Sequence, residues 1–578
     1  MSEDEGKARS GKARSQPLRR GKACLNCRHL KIKCDGVRPL CGQCKRVPKD
    51  DPCEFTDVSS RTMELESTVF RLQSRINELE GIPSTSSSTG YSLHGGLPGW
   101  PRTEFSRMNS PFSGSSAGSR SSPQAASESS FLGVEEPPLV MIQMLLDRFL
   151  PHAIQFGFFL HIDRFRESVL LPLDWADPLR PSPALLSVVY LWGVHLSPSE
   201  PLLSSEPVFL KRAQQNISVE IAGNSNPLHL LHTIQAQVLL STYMFRKKRF
   251  LEAEFHTNGA ATLALGYQLH KIRSARPRPG TPPLLAEVCP PPADAIEEGE
   301  RIRAFWTVAC LQSSLNIALS TATTSFSILE SAGADIDTPW PLEISDYAAG
   351  ALPVGYRCQE TLKSFLTEDP PPQASPVPTL YAKAAVLLHR ASRLGSRWSA
   401  NLAPQETAAY AASCIWLDGR ITKLWETLPP LYAFYADSAA ARSLVLTHAT
   451  TAAAAIRLHR SPGSVDPEAR SKCVFAARAI LACLGDTRVP ECTMAYPLVG
   501  SLCTMGCRVL MEEVREARAF RGAWGESLRV EPPPPGAEEV ALGTDLRGGI
   551  QTMRMYAVSS PLVQYQLTKL QQQYESLY

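Results

Sequence analysis

The sequence predicts an all-α protein in which a short cysteine-rich segment precedes a large helical body. From about residue 132 to residue 578, apolar residues recur with helical spacing over stretches of roughly 10–25 residues, and no stretch shows the sustained alternation typical of strands. Hydrophobic residues make up 43% of the 578 residues, which is enough to build a sizeable core. Six of the 15 cysteines fall within 30 residues near the N-terminus.

The positive charge of the chain is concentrated at its N-terminus. The formal net charge is +3, but residues 1–56 contain 14 Lys and Arg against 7 Asp and Glu, whereas the remaining residues contain 45 against 49. A basic segment favours a polyanionic partner, and residues 1–22 form a basic arm that can serve nuclear import, phosphate contacts or both. The longest near-apolar run, 184–196, is too short to span a membrane, so we expect an intracellular protein with reduced thiols.

The six N-terminal cysteines have the spacing C-x2-C-x6-C-x6-C-x2-C-x8-C and are Cys24, Cys27, Cys34, Cys41, Cys44 and Cys53. Two C-x2-C pairs heading similar half-motifs indicate a metal site rather than free thiols or disulfides. One tetrahedral zinc ion would leave two thiolates unused, and two separate ions would need eight, so six thiolates hold two zinc ions only by sharing two sulfurs. Pseudo-two-fold symmetry between the half-motifs selects Cys24 and Cys41 as the bridging pair. The negative charge of the cluster would be offset by Arg28, Lys31, Lys33, Lys45 and Arg46.

Residues 20–55 resemble the DNA-binding domain of fungal binuclear zinc cluster transcription factors. The resemblance rests on the cysteine spacing, on the basic residues between the second and third cysteines, on Asp35 after the third, and on Pro39 two residues before the fourth. It implies a zinc-dependent domain, at 23–56, in which a short helix enters the major groove of DNA and reads a CGG-type triplet.

The resemblance also implies roles for the basic residues of this segment. Lys31 aligns with the base-reading lysine, and lysine can donate to O6 and N7 of guanine. Arg28 and Lys33 align with positions that support phosphate contacts, and we include Lys45 and Arg46 in the DNA interface. Leu30 stands where the family often has a further basic residue.

Residues 57–80 have the pattern of a short parallel coiled coil. Apolar residues follow a strict 4-3 spacing, with β-branched residues at one core position and leucine at the other, which favours two parallel strands. These residues are Leu65, Val69, Leu72, Ile76 and Leu79. We therefore expect a homodimer formed through this segment; an amphipathic helix packed on the body is the alternative.

Two further regions complete the predicted organisation. Residues 81–131 are rich in Ser, Gly and Pro and are expected to form a disordered linker. Residues 132–578 are expected to form a helical regulatory domain with proline-rich loops at 276–292, 367–378 and 531–536. Seven helices are predicted in it, at 228–245, 252–269, 297–319, 404–428, 439–459, 467–484 and 497–518.

Three pieces of this domain resemble, more loosely, the regulatory region found downstream in the same fungal factors. They are Gly259–His270, Glu300–Trp306 and Asp335–Pro341. In that family the region controls activity, and we expect the charged residues beside Trp306 to stabilise the helical fold.

No enzyme is predicted. The sequence lacks a phosphate-binding loop, an HExxH motif and a dinucleotide-binding glycine pattern, and the Gly114–Gly118 match to a nucleophile elbow lies in the linker with no strand before it. We expect a nuclear, sequence-specific transcription factor that regulates RNA polymerase II genes, with double-stranded DNA and transcriptional co-regulators as partners and no association with a membrane. The alternative is a zinc-containing protein-interaction module that does not read DNA.

Overall fold

The computed structural model divides the chain into two compact units, Met1–Arg120 and Ser121–Tyr578. The structure describes residues 24, 27, 32–35, 37, 40–46 and 53 of the first unit. In the second unit it describes 136–223, 229–276, 290–319, 327–332, 335–368, 375–399, 401–462, 466–486, 488, 496–528 and 531–577. The predicted basic arm at 1–22, coiled coil at 57–80 and linker at 81–131 lie outside the described residues.

The described part of the first unit is small and built around cysteine. It contains the short helix α1 (Gly42–Arg46), which begins directly after Cys41. Its buried cluster consists of cysteine side chains alone, so among these residues no hydrophobic core holds the unit together.

The second unit is built of helices. Its first half contains α2 (Leu139–Phe149), α3 (Ile162–Val169), α4 (Pro183–His195), α5 (Glu200–Ser204), α6 (Glu206–Ala222), α7 (Leu230–Arg246), α8 (Phe250–Gly266), α9 (Ala295–Leu319), α10 (Ile328–Ser331), α11 (Ile344–Ala348) and α12 (Thr361–Thr367). Its second half contains α13 (Val377–Gly395), α14 (Pro404–Thr427), α15 (Ser438–His459), α16 (Pro467–Leu484), α17 (Leu498–Leu528), α18 (Ala537–Ala557) and α19 (Pro561–Glu575). Short 3-10 helices occupy Leu150–Phe156, Leu269–Lys271 and Leu431–Phe434.

The all-α prediction is confirmed for the residues that the structure describes. They contain no strand, only an isolated bridge between Ser274 and Cys358. In the same residues, no helix is both long enough and apolar enough to cross a membrane.

All seven predicted helices are present. The one at 467–484 coincides with α16 residue for residue, because Asp466 accepts a hydrogen bond from the N–H of Glu468 and Pro467 occupies the first helical position. The helix predicted at 497–518 instead continues to Leu528. The loop predicted at 367–378 is shorter than expected, because α13 begins at Val377 and accommodates Pro378 in its first turn.

Two hydrophobic cores stabilise the second unit. The first extends from α2 to α13 and is centred on large aromatic residues; Trp192 stacks on Phe156 with ring centroids 4.0 Å apart. The second extends from α12 to α19 and is rich in alanine, which allows α13, α15 and α16 to pack closely. Gly395 marks this closeness, because a Cβ at that position would collide with the carbonyl oxygen of Arg457 on α15.

The three pieces that carry the looser resemblance meet in the first core. The N–H groups of Asp337 and Thr338 both donate to the carbonyl oxygen of His270, at 2.9 and 3.2 Å. The indole N–H of Trp306 donates to the carbonyl oxygen of Pro339 at 2.7 Å. Segments separated by up to about 80 residues in the chain are therefore joined by hydrogen bonds in one place.

Candidate metal centre and nucleic-acid interface

The six predicted metal ligands lie together in the first unit. Two groups of four sulfur atoms are each close enough to surround one metal ion, with all sulfurs of a group within 4.8 Å of one another. The first group is Cys24, Cys27, Cys34 and Cys41, and the second is Cys24, Cys41, Cys44 and Cys53. Cys24 and Cys41 belong to both groups, so the arrangement has two sites with one shared edge.

The sulfur–sulfur distances fit tetrahedral zinc. A Zn–S bond of ~2.3 Å in a regular tetrahedron places the sulfurs ~3.8 Å apart. The shared edge from Cys24 Sγ to Cys41 Sγ is 3.7 Å, the Cys27–Cys41 edge of the first group is 3.6 Å, and the Cys24–Cys44 edge of the second is 3.8 Å. These sulfurs are too far apart for disulfides, whose S–S bond is ~2.05 Å long. The residues present therefore fit two zinc ions with bridging thiolates.

The two half-motifs have matching local geometry. The N–H of Cys27 points to Cys24 Sγ at 3.4 Å, and the N–H of Cys44 points to Cys41 Sγ at the same distance. In each C-x2-C pair the first sulfur therefore accepts a hydrogen bond from the backbone of the second cysteine. The two sulfurs that receive these bonds are the two that both groups share.

Asp35 connects the two half-motifs. Its carboxylate accepts hydrogen bonds from the N–H of Gly42 at 2.9 and 3.0 Å, at the start of α1. A Cβ at Gly42 would lie within 3 Å of the Asp35 carboxylate, so a side chain there would displace that carboxylate. The aspartate after the third cysteine thus has a structural role, which sequence reasoning treated only as part of a family pattern.

Burial and close spacing change the pKa values of the clustered thiols. Burial, together with neighbouring thiols, raises the pKa of Cys24 well above its ordinary value and that of Cys27 to about 12. Burial also opposes ionisation of Cys41, but hydrogen bonds from Cys44 and the other thiols outweigh it and lower the pKa of Cys41 to about 6. Positive charge at the centre would favour the ionised form of all these thiols.

The basic residues are placed only in part. Lys33, Lys45 and Arg46 are exposed, and the last two form the C-terminal end of α1. Lys31 and Arg28 lie outside the described residues, as do all five predicted coiled-coil residues. The DNA contacts and the dimer seam therefore stay predictions.

Two other cysteines are buried in the body. Cys503 and Cys507 are inaccessible to solvent in the second core, and Cys503 donates to the carbonyl oxygen of Gly549 at 3.4 Å. Among the described residues, the grouped metal-ligating side chains are those of the N-terminal cysteines alone. Cys503 and Cys507 therefore act as small core residues.

Residues 22–62 match the family model of the fungal Zn(2)-Cys(6) binuclear cluster domain. The chain thus carries a domain of that family, and it is homologous to fungal transcriptional activators of the same type. The citrinin biosynthesis transcriptional activators of Monascus ruber and Monascus purpureus are each 24% identical over 330 residues, covering 50% of this chain and 58% and 52% of the relatives. The transcriptional activator protein acu-15 of Neurospora crassa is 40% identical over 72 residues, 11% of this chain and 8% of the relative. No solved structure matches the chain.

The match thus spans somewhat more than half the length of the two Monascus relatives. Half of this chain is far more than the cysteine-rich domain, so the similarity also includes part of the helical body. The family and the named relatives are transcription regulators rather than enzymes.

Proposed function

We propose that this protein is a zinc-dependent, sequence-specific DNA-binding transcription factor that acts in the nucleus on RNA polymerase II genes. The observation that carries the proposal is the pair of four-sulfur groups sharing Cys24 and Cys41, in a segment that matches the fungal binuclear cluster domain. The named relatives, which are transcriptional activators, support the same conclusion.

Two zinc ions per chain hold the DNA-binding domain in shape. Cys27 and Cys34 complete one site and Cys44 and Cys53 the other, while Cys24 and Cys41 bridge the two. When bound, the zinc ions supply the cross-links and the positive charge that allow all six thiols to ionise. The protein itself sets the position of the sulfurs through the matched backbone hydrogen bonds and the Asp35–Gly42 connection.

Lys31 reads a CGG-type triplet in the major groove, and Arg28 and Lys33 contact phosphates beside it. Exposure of Lys33, Lys45 and Arg46 supports this proposal, because phosphate contacts require charged side chains that are free of the protein core. A homodimer formed through Leu65, Val69, Leu72, Ile76 and Leu79 would present two such domains to paired triplets.

The test is selection of binding sites from random duplex DNA by the full-length, zinc-loaded chain. Enrichment of paired CGG-type triplets supports the proposal, and the spacing between them reports dimer geometry. If no sequence is enriched while the chain retains its zinc and its helical structure, the proposal is wrong and the interaction-module alternative is favoured.

Two variants distinguish a side chain that reads DNA bases from one that contacts phosphates. Lys31→Ala should lose roughly 1–3 kcal/mol of discrimination between the selected triplet and mutated triplets. Lys33→Ala is the matched control, because loss of a phosphate contact should weaken binding to all sequences about equally and reduce its salt dependence. An equal loss on all sequences for Lys31→Ala would refute its base-reading role.

A further inference from the structure

A cavity of about 260 Å³ lies in the helical body, between residues of the two cores. Trp306, Cys310 and Leu311 of α9 contribute one wall. Val445 and Leu446 of α15 contribute another. All of these residues belong to the second unit, so the cavity is a feature of the body alone.

The size and lining of the cavity suit a small organic molecule. An apolar cavity of about 150 Å³ holds one benzene molecule, so this one has room for a group about the size of two fused rings. Most of the lining is apolar or aromatic, and it includes three tyrosines, Tyr381, Tyr496 and Tyr556, with a few polar side chains. Such a combination of apolar walls with a few polar groups is typical of ligand sites.

Arg303 supplies a cation in this cavity that no described residue pairs. Its side chain lines the cavity, yet it makes neither a hydrogen bond nor an ion pair with any residue that the structure describes. Burial lowers the pKa of Arg303, while the nearby Glu343, Tyr347 and Glu300 side chains favour its charged form. Its guanidinium therefore keeps five N–H donors available to a ligand or to water.

The other charged groups that line the cavity already have partners in the fold. The Asp437 carboxylate caps α15 by accepting from the N–H groups of Ala439 and Ala440 at 3.0 and 3.1 Å. The Glu343 side chain accepts from the backbone at the start of α11. Arg442 also interacts with other groups of the protein. Arg303 is therefore the charged side chain lining this cavity that forms no hydrogen bond or ion pair with a described residue.

The cavity opens to solvent near these charges. Of the lining residues, Ile154, Glu343, Asp437 and Ala439 are exposed, whereas Cys310, Leu311 and Val445 are buried. Arg303 is intermediate in exposure. A ligand that enters from this side would place an apolar group deep in the cavity and a polar group beside Arg303.

We propose that this cavity binds a small amphipathic carboxylate, with the carboxylate on Arg303 and a ring system or short alkyl chain between α9 and α15. Arginine presents its N–H groups in a planar fork that matches a carboxylate, so one ligand group would satisfy the unpaired cation. The inference goes beyond the proposed function and does not depend on it, because binding can be measured without DNA.

The test uses isothermal titration calorimetry on the full-length, zinc-loaded chain with 2-naphthoate and decanoate as probes. Saturable binding of at least one of them is expected. 2-Naphthamide, a neutral molecule of the same shape as 2-naphthoate, should bind more weakly, and acetate should not bind. Absence of saturable binding by both probes, or equal binding of 2-naphthamide and 2-naphthoate, overturns the proposal. Preference for 2-naphthylmethylamine over 2-naphthoate also overturns it, because the site would then select cations.

Two variants locate the site. Arg303→Gln should weaken binding of the carboxylate about 10- to 100-fold and leave 2-naphthamide unaffected, since a charge-assisted hydrogen bond is lost. Ser443→Phe should fill the cavity and abolish binding while leaving Arg303 in place; Ser218→Phe, at an exposed position on α6, is its control. Unchanged affinity in Ser443→Phe refutes this location even if Arg303→Gln fails to fold.

Discussion

Removing one cysteine at a time distinguishes shared from unshared metal ligands. Cys24 belongs to both four-sulfur groups, whereas Cys53 belongs only to the second. Cys53→Ser therefore leaves the first group complete with four sulfurs, and Cys24→Ser leaves each group with three. The expected zinc content falls from two ions per chain to one in Cys53→Ser, and to less than one tightly held ion in Cys24→Ser.

The binding free energy of zinc is large enough to make this difference in zinc content measurable. A structural zinc site with a full set of ligands contributes about 10–16 kcal/mol of apparent binding free energy. An intact four-sulfur group should thus keep its zinc against a competing chelator at a concentration that strips a three-sulfur group. Zinc per chain, measured by mass spectrometry of the metal after graded chelator competition, reports the outcome.

Matched variants control the experiment. Cys34→Ser should behave like Cys53→Ser, because Cys34 belongs only to the first group. Cys358→Ser places the same substitution in the helical body and should retain two zinc ions. If Cys24→Ser retained one zinc ion as firmly as Cys53→Ser, the shared-sulfur arrangement would be refuted.

Three further predictions concern the helical body and its independence from zinc. Gly395→Ala should lower the free energy of unfolding, because the new Cβ would collide with the Arg457 carbonyl. Gly419→Ala, on α14 with open space around it, should raise the free energy of unfolding by up to ~1 kcal/mol. Thermal unfolding midpoints that change in the same direction for both variants would contradict this. Burial raises the pKa of Glu300 to about 7, so the folded state favours the protonated carboxyl and loses stability as the pH rises from about 4.5 to 7. Glu300→Gln should therefore be more stable than the wild type above pH 7, by up to about 3 kcal/mol, and differ little from it near pH 4.5. Thermal unfolding midpoints of both proteins at pH 5 and pH 8 measure this difference. Chelation of zinc from the full-length chain should abolish DNA binding but leave the helical circular dichroism signal almost unchanged; a large loss of helix would show that the body needs the metal.

The metal centre could be predicted closely from the sequence because its information is local. Six ligands within 30 residues, and the valence of tetrahedral zinc, restrict the arrangement to two ions with two shared sulfurs. The spacing does not reveal the backbone hydrogen bonds to Cys24 and Cys41, nor the close approach of the Asp35 carboxylate to Gly42. Those features depend on three-dimensional positions that the cysteine pattern leaves open.

The helices were predictable where capping and periodicity agree. Asp466 followed by Pro467 marks the start of α16, and both its ends were predicted correctly. Residues 184–196 were noted only as an apolar run, although α4 occupies Pro183–His195, because a helix that is buried on every side has no polar face to give it a helical period. Helix α13 was not among the predicted helices, and its first two residues were assigned to the proline-rich loop at 367–378.

The cavity was beyond the reach of sequence reasoning for a different reason. Its lining comes from segments as far apart as Ile154 and Tyr556, and no local pattern brings such residues together. The charged residues beside Trp306 were expected to stabilise the fold. Arg301 does so through an ion pair with Glu297 at 2.6 Å, whereas Arg303, two residues later, has no such partner among the described residues.

The two units are stabilised by different physical means, and this separates their functions experimentally. The buried cluster described in the first unit is made of cysteines, so we expect its fold to depend on bound metal, whereas the body has two hydrophobic cores of its own. A chelator should therefore remove DNA binding without changing the affinity of the body for 2-naphthoate. Conversely, Ser443→Phe should remove ligand binding without changing the zinc content. If ligand then alters DNA affinity in the wild type but not in Ser443→Phe, the two sites are coupled, and the coupling must be reciprocal: DNA must change the affinity for ligand by the same factor.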